Sequence, residues 1–463
     1  MLIPILCAAA LLSASRDQTP GSVHLEAEDG ELVGTSVSTA GAGFSGKGFV
    51  TGFVSSTAKV ILRFSAKPGI YEAKIRYSSP SGPKGFGVRV NGHSSSGMFP
   101  KTGDRFEVIS AGKVELSGQN ELEIERGWGY FNVDSVDFVP SVVNHQMKPL
   151  PGRLADLKAN DSAKSLYGRL SQSYGHRTLS GQYDAGENYG IAVATGKTPA
   201  IYGGDFMDYS PSRLKHGTHP EGTTEAVIKQ AKAGQAITMS WHWNAPTDLL
   251  DKLITDAKGN HVDLRWYKGF YTDATTFDLA KALDDPKSER YSMLLSDMDA
   301  IAVQLKKFQD AGVPVLWRPL HEAEGGWFWW GAKGPKPFIK LWRIMFDRFT
   351  RIHRLHNLIW VFTVGDNPDW YPGDEFVDVL GIDAYPSDHS DALNRNWESL
   401  KAQFDGRKLL AISEFGGVPD IPRMRRFGAE WAYFVSWTGQ IKPPGTSTQD
   451  LRRIYSDTGV QNR

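Results

Sequence analysis

The chain has 463 residues, and 52 Lys+Arg against 52 Asp+Glu give a formal net charge of zero. That balance, with no long basic run, argues against nucleic acid as the main partner, and 11% aromatic with 22% charged residues excludes a disordered chain. At about 100–200 residues per domain, the length predicts two or three domains, each with its own core.

At the N-terminus, the apolar run Leu2–Leu12 holds the one cysteine, Cys7, and is shorter than the roughly 20 residues that span a bilayer. Small residues follow at Ser13, Ala14 and Ser15, so residues 1–15 read as a signal peptide cut near Ser15. The expectation is a secreted, extracellular chain without a membrane partner. Its mature form has no thiol, which excludes disulfides, zinc–thiolate sites and a cysteine nucleophile, and leaves oxygen ligands for any metal. Asn160-Asp161-Ser162 is a glycosylation sequon.

Residues 20–140 have period two. Tyr71, Ala73, Ile75 and Tyr77 alternate with Glu72, Lys74 and Arg76, and Phe86, Val88 and Val90 lead into Asn91-Gly92, a hairpin turn. Ser117-Gly118-Gln119-Asn120 predicts a second hairpin between Val114-Leu116 and Leu122-Ile124. Short strands without a helix imply an antiparallel β-sandwich of jelly-roll type. The polar stretch from Pro140 to Pro151 reads as a linker, taken over 141–157.

Residues 158–463 have a helical rhythm between short apolar runs. Tyr291, Leu294, Met298, Ile301, Leu305 and Phe308 mark one amphipathic helix, ended by Gly312, and Phe338, Trp342, Met345, Phe349 and Ile352 mark another. Eight strands are predicted near 177–183, 198–204, 236–241, 313–321, 357–363, 377–384, 407–414 and 431–437. That alternation fits a (β/α)8 barrel, and no glycine-rich phosphate turn follows the first strand to favour a doubly wound sheet. Thirteen of the 14 tryptophans lie beyond residue 140, so some are expected to line a groove and others, Trp342 and Trp431 among them, to pack.

Several near-motifs fail. Gly41 to Gly48 approximates a phosphate-binding loop, but Gly48 stands where its hydroxyl residue belongs, and His321-Glu322 lacks the second histidine of a zinc helix. Two other clusters carry chemistry. Trp317-Arg318-Pro319-Leu320-His321-Glu322 ends the fourth strand, and Ile412-Ser413-Glu414-Phe415-Gly416 ends the seventh. Strand ends of a barrel face its active site, and two facing carboxyls are what glycosidic cleavage needs: one protonates the leaving oxygen while the other attacks the anomeric carbon. The apolar faces of sugar rings suit tryptophan, which makes Trp241, Trp243, Trp266 and Trp327 candidate platforms, with Tyr202, Asp205 and Asp208 edging the groove.

With Trp241-His242, Trp327 and Gly381-Ile382-Asp383-Ala384-Tyr385, these clusters resemble glycoside hydrolase family 26 over roughly 160–450. The resemblance implies a (β/α)8 barrel and an endo-β-1,4-mannanase acting on mannan, galactomannan and glucomannan, as a monomer without a catalytic cofactor. It implies Glu322 as acid/base and Glu414 as nucleophile of a retaining mechanism, with carboxyls about 5–5.5 Å apart. His242, His321, Tyr385 and Asp383 would meet the substrate, with Trp327 and Trp437 as aromatic walls. The alternatives are a β-1,3-xylanase or mixed-linkage glucanase of the same family, or a catalytically dead carbohydrate binder.

The first domain resembles carbohydrate-binding module family 35, through His24-Leu25-Glu26-Ala27-Glu28, Gly46-Lys47-Gly48-Phe49-Val50 and Trp128 to Asp137. That resemblance implies a structural calcium ion, for which Glu26 and Glu28, taken to share one strand face, and Asp137 supply hard oxygens. It also implies a sugar platform at Trp128 with Asn132 beside it.

Overall fold

The computed structural model describes residues 19–256, 258–386, 388–441 and 446–463, so the segment read as a signal peptide lies outside the described residues. The chain divides between Val143 and Asn144 into two units, each with its own apolar core.

The first unit is the expected sandwich. One antiparallel sheet takes the order Ser36–Ser38, Phe49–Thr51, Asn132–Pro140, Gly69–Ser78 and Glu107–Leu116, with Val23–Glu26 also pairing Asn132–Pro140. The other takes the order Glu31–Val33, Lys59–Ser65, Gln119–Trp128, Lys84–Val90 and His93–Phe99. The period-two residues Tyr71, Ala73, Ile75 and Tyr77 are all buried, as are Phe86, Val88 and Val90. Asn91 and Gly92 both take positive φ, 51° and 83°, as a two-residue hairpin turn requires.

The second hairpin expectation is corrected. Glu107–Leu116 pairs with Gly69–Ser78, whereas Gln119–Trp128 pairs with Lys59–Ser65 and Lys84–Val90 in the other sheet. Ser117–Asn120 is a tight turn, but one that crosses between sheets. Asn120 closes it, its side chain accepting from Ser117 N and donating to Ser117 O, each at 2.8 Å. Local turn chemistry does not reveal which strands a turn joins.

The second unit is a closed barrel of eight parallel strands: Gly181–Tyr183, Ile201–Asp205, Ala236–Trp241, Val315–Pro319, Leu358–Thr363, Val379–Ala384, Leu409–Phe415 and Phe434–Ser436. Every predicted strand overlaps one of these. The helix Glu289–Asp310 starts where Ser288 accepts from Tyr291 N at 3.1 Å and stops at Gly312, whose φ of 71° suits a residue without Cβ. The helix Pro335–Asp347 widens into a π turn over Arg348–Ile352. Trp342 and Trp431 are fully buried, as expected of packing residues.

Two features differ from the sequence reading. A hairpin of Lys252–Thr255 and His261–Leu264 projects between the third barrel strand and its helix. The stretch taken as a linker is also mostly part of the barrel unit. Leu154 is buried in the barrel core with Met147 and Leu150 against it, Lys148 N donates to Asp405 Oδ1 at 3.0 Å, and Ala155 N donates to Asp378 Oδ1 at 2.6 Å. Spaced apolar residues in a polar, proline-bearing segment suffice to lay it on the barrel.

Candidate active site

Arg318 is the penultimate residue of the apolar fourth strand, with none of its side chain exposed. A guanidinium there needs charged partners. Nη1 donates to Asp383 Oδ2 at 2.6 Å, Nη2 donates to Glu414 Oε2, and Nε faces the Tyr183 hydroxyl at 3.3 Å. The fourth, sixth, seventh and first strands thus meet on one cation. Asp383 is fixed further by Ser413 Oγ at 2.7 Å and Thr363 Oγ1 at 3.3 Å. Burial holds the Asp383 carboxyl up at about 7 even against the Arg318 charge, with Glu414 and Glu322 adding to the rise.

Glu414 closes the seventh strand and is 4% exposed. Its second oxygen, Oε1, accepts from the Tyr385 hydroxyl. Burial and the Glu414 charge push the Tyr385 phenol upward, so it stays a donor. A carboxyl that accepts on both oxygens from a guanidinium and a phenol is arranged as an anion.

Glu322 follows the fourth strand in left-handed backbone, φ 52°. Trp327 Nε1 donates to its Oε2 at 2.9 Å. The indole ring lies so close over Gly325 that a Cβ there would overlap it, which ties this rotamer to a glycine. Burial, then the Glu414 charge, raise the Glu322 carboxyl above its ordinary value, with the Trp327 hydrogen bond, Arg318 and His242 pulling the other way. The two glutamates therefore sit in opposed environments at one site.

Both line a cleft of about 800 Å³ together with His242, Trp327, Tyr385 and Trp437. Tyr202 and Asp205 line it too, as expected, whereas Asp208 instead pairs with Arg213 at 3.0 Å. Trp327 and Tyr385 are about half exposed, so the aromatic rim is open to solvent.

Five expected substrate contacts are corrected. Trp241 and Trp243 are completely buried, stacked at 4.1 Å, with their indole N–H groups on Ser210 Oγ and Asp297 Oδ2. Successive residues of extended chain point to opposite faces, so His242 facing the cleft turns both tryptophans away. His321 is 1% exposed and sits behind His242, their Nε2 atoms 3.2 Å apart. Asp383 lies beneath the cleft, held by Arg318. Trp266 is outside the cleft lining, its ring parallel to His216 at 5.0 Å and 5.4 Å from the Arg213 guanidinium. Sequence reasoning assigned no role to Arg318, although a lone arginine inside an apolar strand already demands buried acids. It also missed Tyr271 and Phe328, which line the cleft and stack at 5.5 Å.

In the first unit, Trp128 is 53% exposed and lies against the Gly85 backbone with Lys84 Nζ 5.5 Å from the ring, and Tyr130, unforeseen, is 59% exposed in the same loop. Asn132 donates to Ser78 Oγ at 2.9 Å. Glu28 belongs to a 3₁₀ turn, Ala27–Asp29, and not to the strand of Glu26, yet both acids converge on Gly46, where a Cβ would overlap Glu28 Oε1. Glu28 Oε2 is buried without a hydrogen bond. Asp137 is drawn to the His24 ring at 2.6 Å, whose other nitrogen lies 3.0 Å from Glu26 Oε1. Among the described residues, no three His, Cys, Asp or Glu side chains converge as a metal cage.

Replacing Arg318 by methionine should cost about 3–5 kcal/mol, because it leaves two unpaired carboxyls in the barrel. The Asp383 carboxyl, already held up at about 7 beside Arg318, would rise further without that charge, so the deficit should grow as pH rises through that value, from about 6 to 8. Denaturant unfolding of the Arg318→Met variant across that range checks it. A deficit independent of pH would contradict the charge cluster.

Known proteins resemble this chain over almost its whole length. A mannan endo-1,4-beta-mannosidase of Thermothelomyces thermophilus is 40% identical over 99% of this chain and 93% of its own. The crystal structure of a Podospora anserina GH26-CBM35 beta-(1,4)-mannanase is 40% identical, covering 96% of this chain and 98% of that one at a TM-score of 0.68. A beta-mannanase from a symbiotic protist of the termite Reticulitermes speratus, solved with a gluco-manno-oligosaccharide, is 32% identical over 68% of this chain and 98% of its own, TM-score 0.58. Residues 23–141 match carbohydrate binding module family 35, and residues 155–463 match glycosyl hydrolase family 26. The chain therefore belongs to glycosyl hydrolase family 26 and carries a family 35 carbohydrate-binding module ahead of its barrel.

Proposed function

We propose that this glycoside hydrolase is an endo-β-1,4-mannanase that cleaves internal linkages of mannan, galactomannan and glucomannan by retaining double displacement. The observation that carries the mechanism is the opposed state of two carboxyls in one cleft: Glu414 accepts hydrogen bonds on both oxygens, and Glu322 is pushed toward its protonated form. Glu414 attacks the anomeric carbon as Glu322 protonates the departing oxygen. Glu322 then draws a proton from water, and that water hydrolyses the glycosyl–enzyme bond. Trp327 and Trp437 offer flat apolar faces to the sugar rings, and the open rim suits a chain that continues past the cleavage point. The choice of mannan is supported by the names of the relatives. The enzyme is read as a monomer that needs no cofactor for catalysis.

Galactomannan digestion with product sizing tests this reading: a rapid fall in polymer length is expected, with newly formed ends of retained configuration. Glu414→Ala should abolish turnover. Glu322→Ala should keep partial activity on aryl substrates whose leaving groups need little protonation. Inverted products, or equal losses on an activated substrate, would overturn the assignment.

For the first unit, we propose a calcium ion held by Glu26 and Glu28. The buried, unpartnered Glu28 Oε2 fits a cation, and Asp137 and carbonyl oxygens would complete the ligand set once the ion displaces the His24 ring from Glu26 and Asp137. Trp128, with Asn132, would hold polysaccharide. Chelator should lower the melting transition of residues 19–143 and spare hydrolysis of soluble oligosaccharide by the whole chain. Trp128→Ala should reduce activity on insoluble mannan alone; an unmoved transition or unchanged activity would remove the respective role. The chain is read as secreted, so the extracellular protein should begin near Arg16, and an intact Met1 there would contradict cleavage.

A further inference from the structure

Asp205 ends the second barrel strand, and its carboxylate accepts four hydrogen bonds. Oδ1 takes the amides of Met207 at 2.6 Å and His242 at 3.1 Å, and Oδ2 takes Ser240 Oγ at 2.7 Å and His242 Nδ1 at 2.6 Å. A carboxylate only accepts, so His242 carries a proton on Nδ1. Its Nε2 meets His321 Nε2 at 3.2 Å. Burial opposes charge on His242, but the Asp205 carboxylate outweighs it and raises the imidazole above its ordinary value. Burial, then the Arg318 and His242 charges, press His321 well below its own. With His242 Nδ1 committed to Asp205, the two Nε2 atoms share one hydrogen bond that joins the rings.

His321 stands between two residues of left-handed backbone, Leu320 at φ 51° and Glu322 at φ 52°. Such a conformation costs a non-glycine residue on the order of 1–3 kcal/mol and persists only where its surroundings over-determine it. The surroundings here grip His321. Its ring centroid lies 5.1 Å from Phe328 and 5.7 Å from Trp330, and its carbonyl accepts from Trp330 Nε1 at 2.9 Å. The polar tether on the remaining side runs through His242 to Asp205.

We propose that Asp205 is a positioning residue for the protonation step: through His242 and His321 it holds the left-handed turn that aims the Glu322 carboxyl into the cleft. The proposal rests on the reading of Glu322 as acid/base. It assigns the second and third strands a part in a step whose reacting carboxyls come from the fourth and seventh.

The test is Asp205→Asn, which keeps the side-chain shape but turns an N–H group toward donors. On manno-oligosaccharide, kcat should fall about 10–100-fold with KM changed less than about threefold, since a misplaced catalytic group costs rate more than binding. On a dinitrophenyl manno-oligosaccharide, whose leaving group needs no proton, kcat/KM should stay within about threefold of the parent protein. Ser240→Ala removes one of the four hydrogen bonds with little risk to folding, and should give the same leaving-group pattern at smaller size. Equal losses on both substrates, or unchanged kcat on manno-oligosaccharide at an unchanged melting transition, would overturn the proposal. Glu322→Ala is run alongside: if it shows no leaving-group dependence, the acid/base reading itself fails, whatever Asp205 does.

Discussion

A guanidinium with no exposed atoms holds four strands of the barrel to one point. Arg318 is surrounded by Asp383, Glu414 and Tyr183, and each of those groups is placed by further contacts: Ser413 and Thr363 on Asp383, Tyr385 on Glu414. The cluster is costly to bury, so its worth lies in geometry more than in stability. It fixes an anion at the end of the seventh strand, in a layer just beneath the open cleft. The remaining features of the site respond to that anion.

Glu322 is the first of these. Beside Glu414 a second carboxylate is disfavoured, and burial and repulsion together push Glu322 toward its protonated form. The Trp327 indole tempers this by donating to the same carboxyl, so the tryptophan proposed as a sugar wall is also a brake on the Glu322 shift. On the far side, His242 lies between Asp205 and His321, and the Asp205 carboxylate raises its imidazole above the ordinary value despite burial. Each of these two carboxylates is therefore met by a basic group, Asp205 by His242 and Glu414 by Arg318.

Much of this was legible in the sequence, for reasons that also mark its limits. Barrel strands are buried on both faces and read as apolar runs, so all eight could be placed. Glu322 and Glu414 stood out because each ends such a run beside glycine and aromatic residues. The direction of individual side chains was harder to read. Trp241 and His242 are neighbours, and choosing both as substrate contacts overlooked that extended chain sends them to opposite faces. Contacts distant in sequence were invisible: His24 drawing Asp137 away from Glu28, the strands joined by Ser117–Asn120, and the partners of Arg318. Residues 144–157 read as a tether because proline and polar residues dominate, yet a few apolar side chains decide where that segment lies.

The division of roles between the two glutamates is tested most directly by trapping the covalent intermediate. An activated 2-deoxy-2-fluoro mannobioside slows hydrolysis of a glycosyl–enzyme bond more than its formation, and proteolysis with mass spectrometry then locates the added sugar. The label is expected on Glu414, within the peptide that contains Leu409–Phe415. A label on Glu322, or none at all while the substrate is turned over with inverted configuration, would contradict an Arg318-anchored nucleophile.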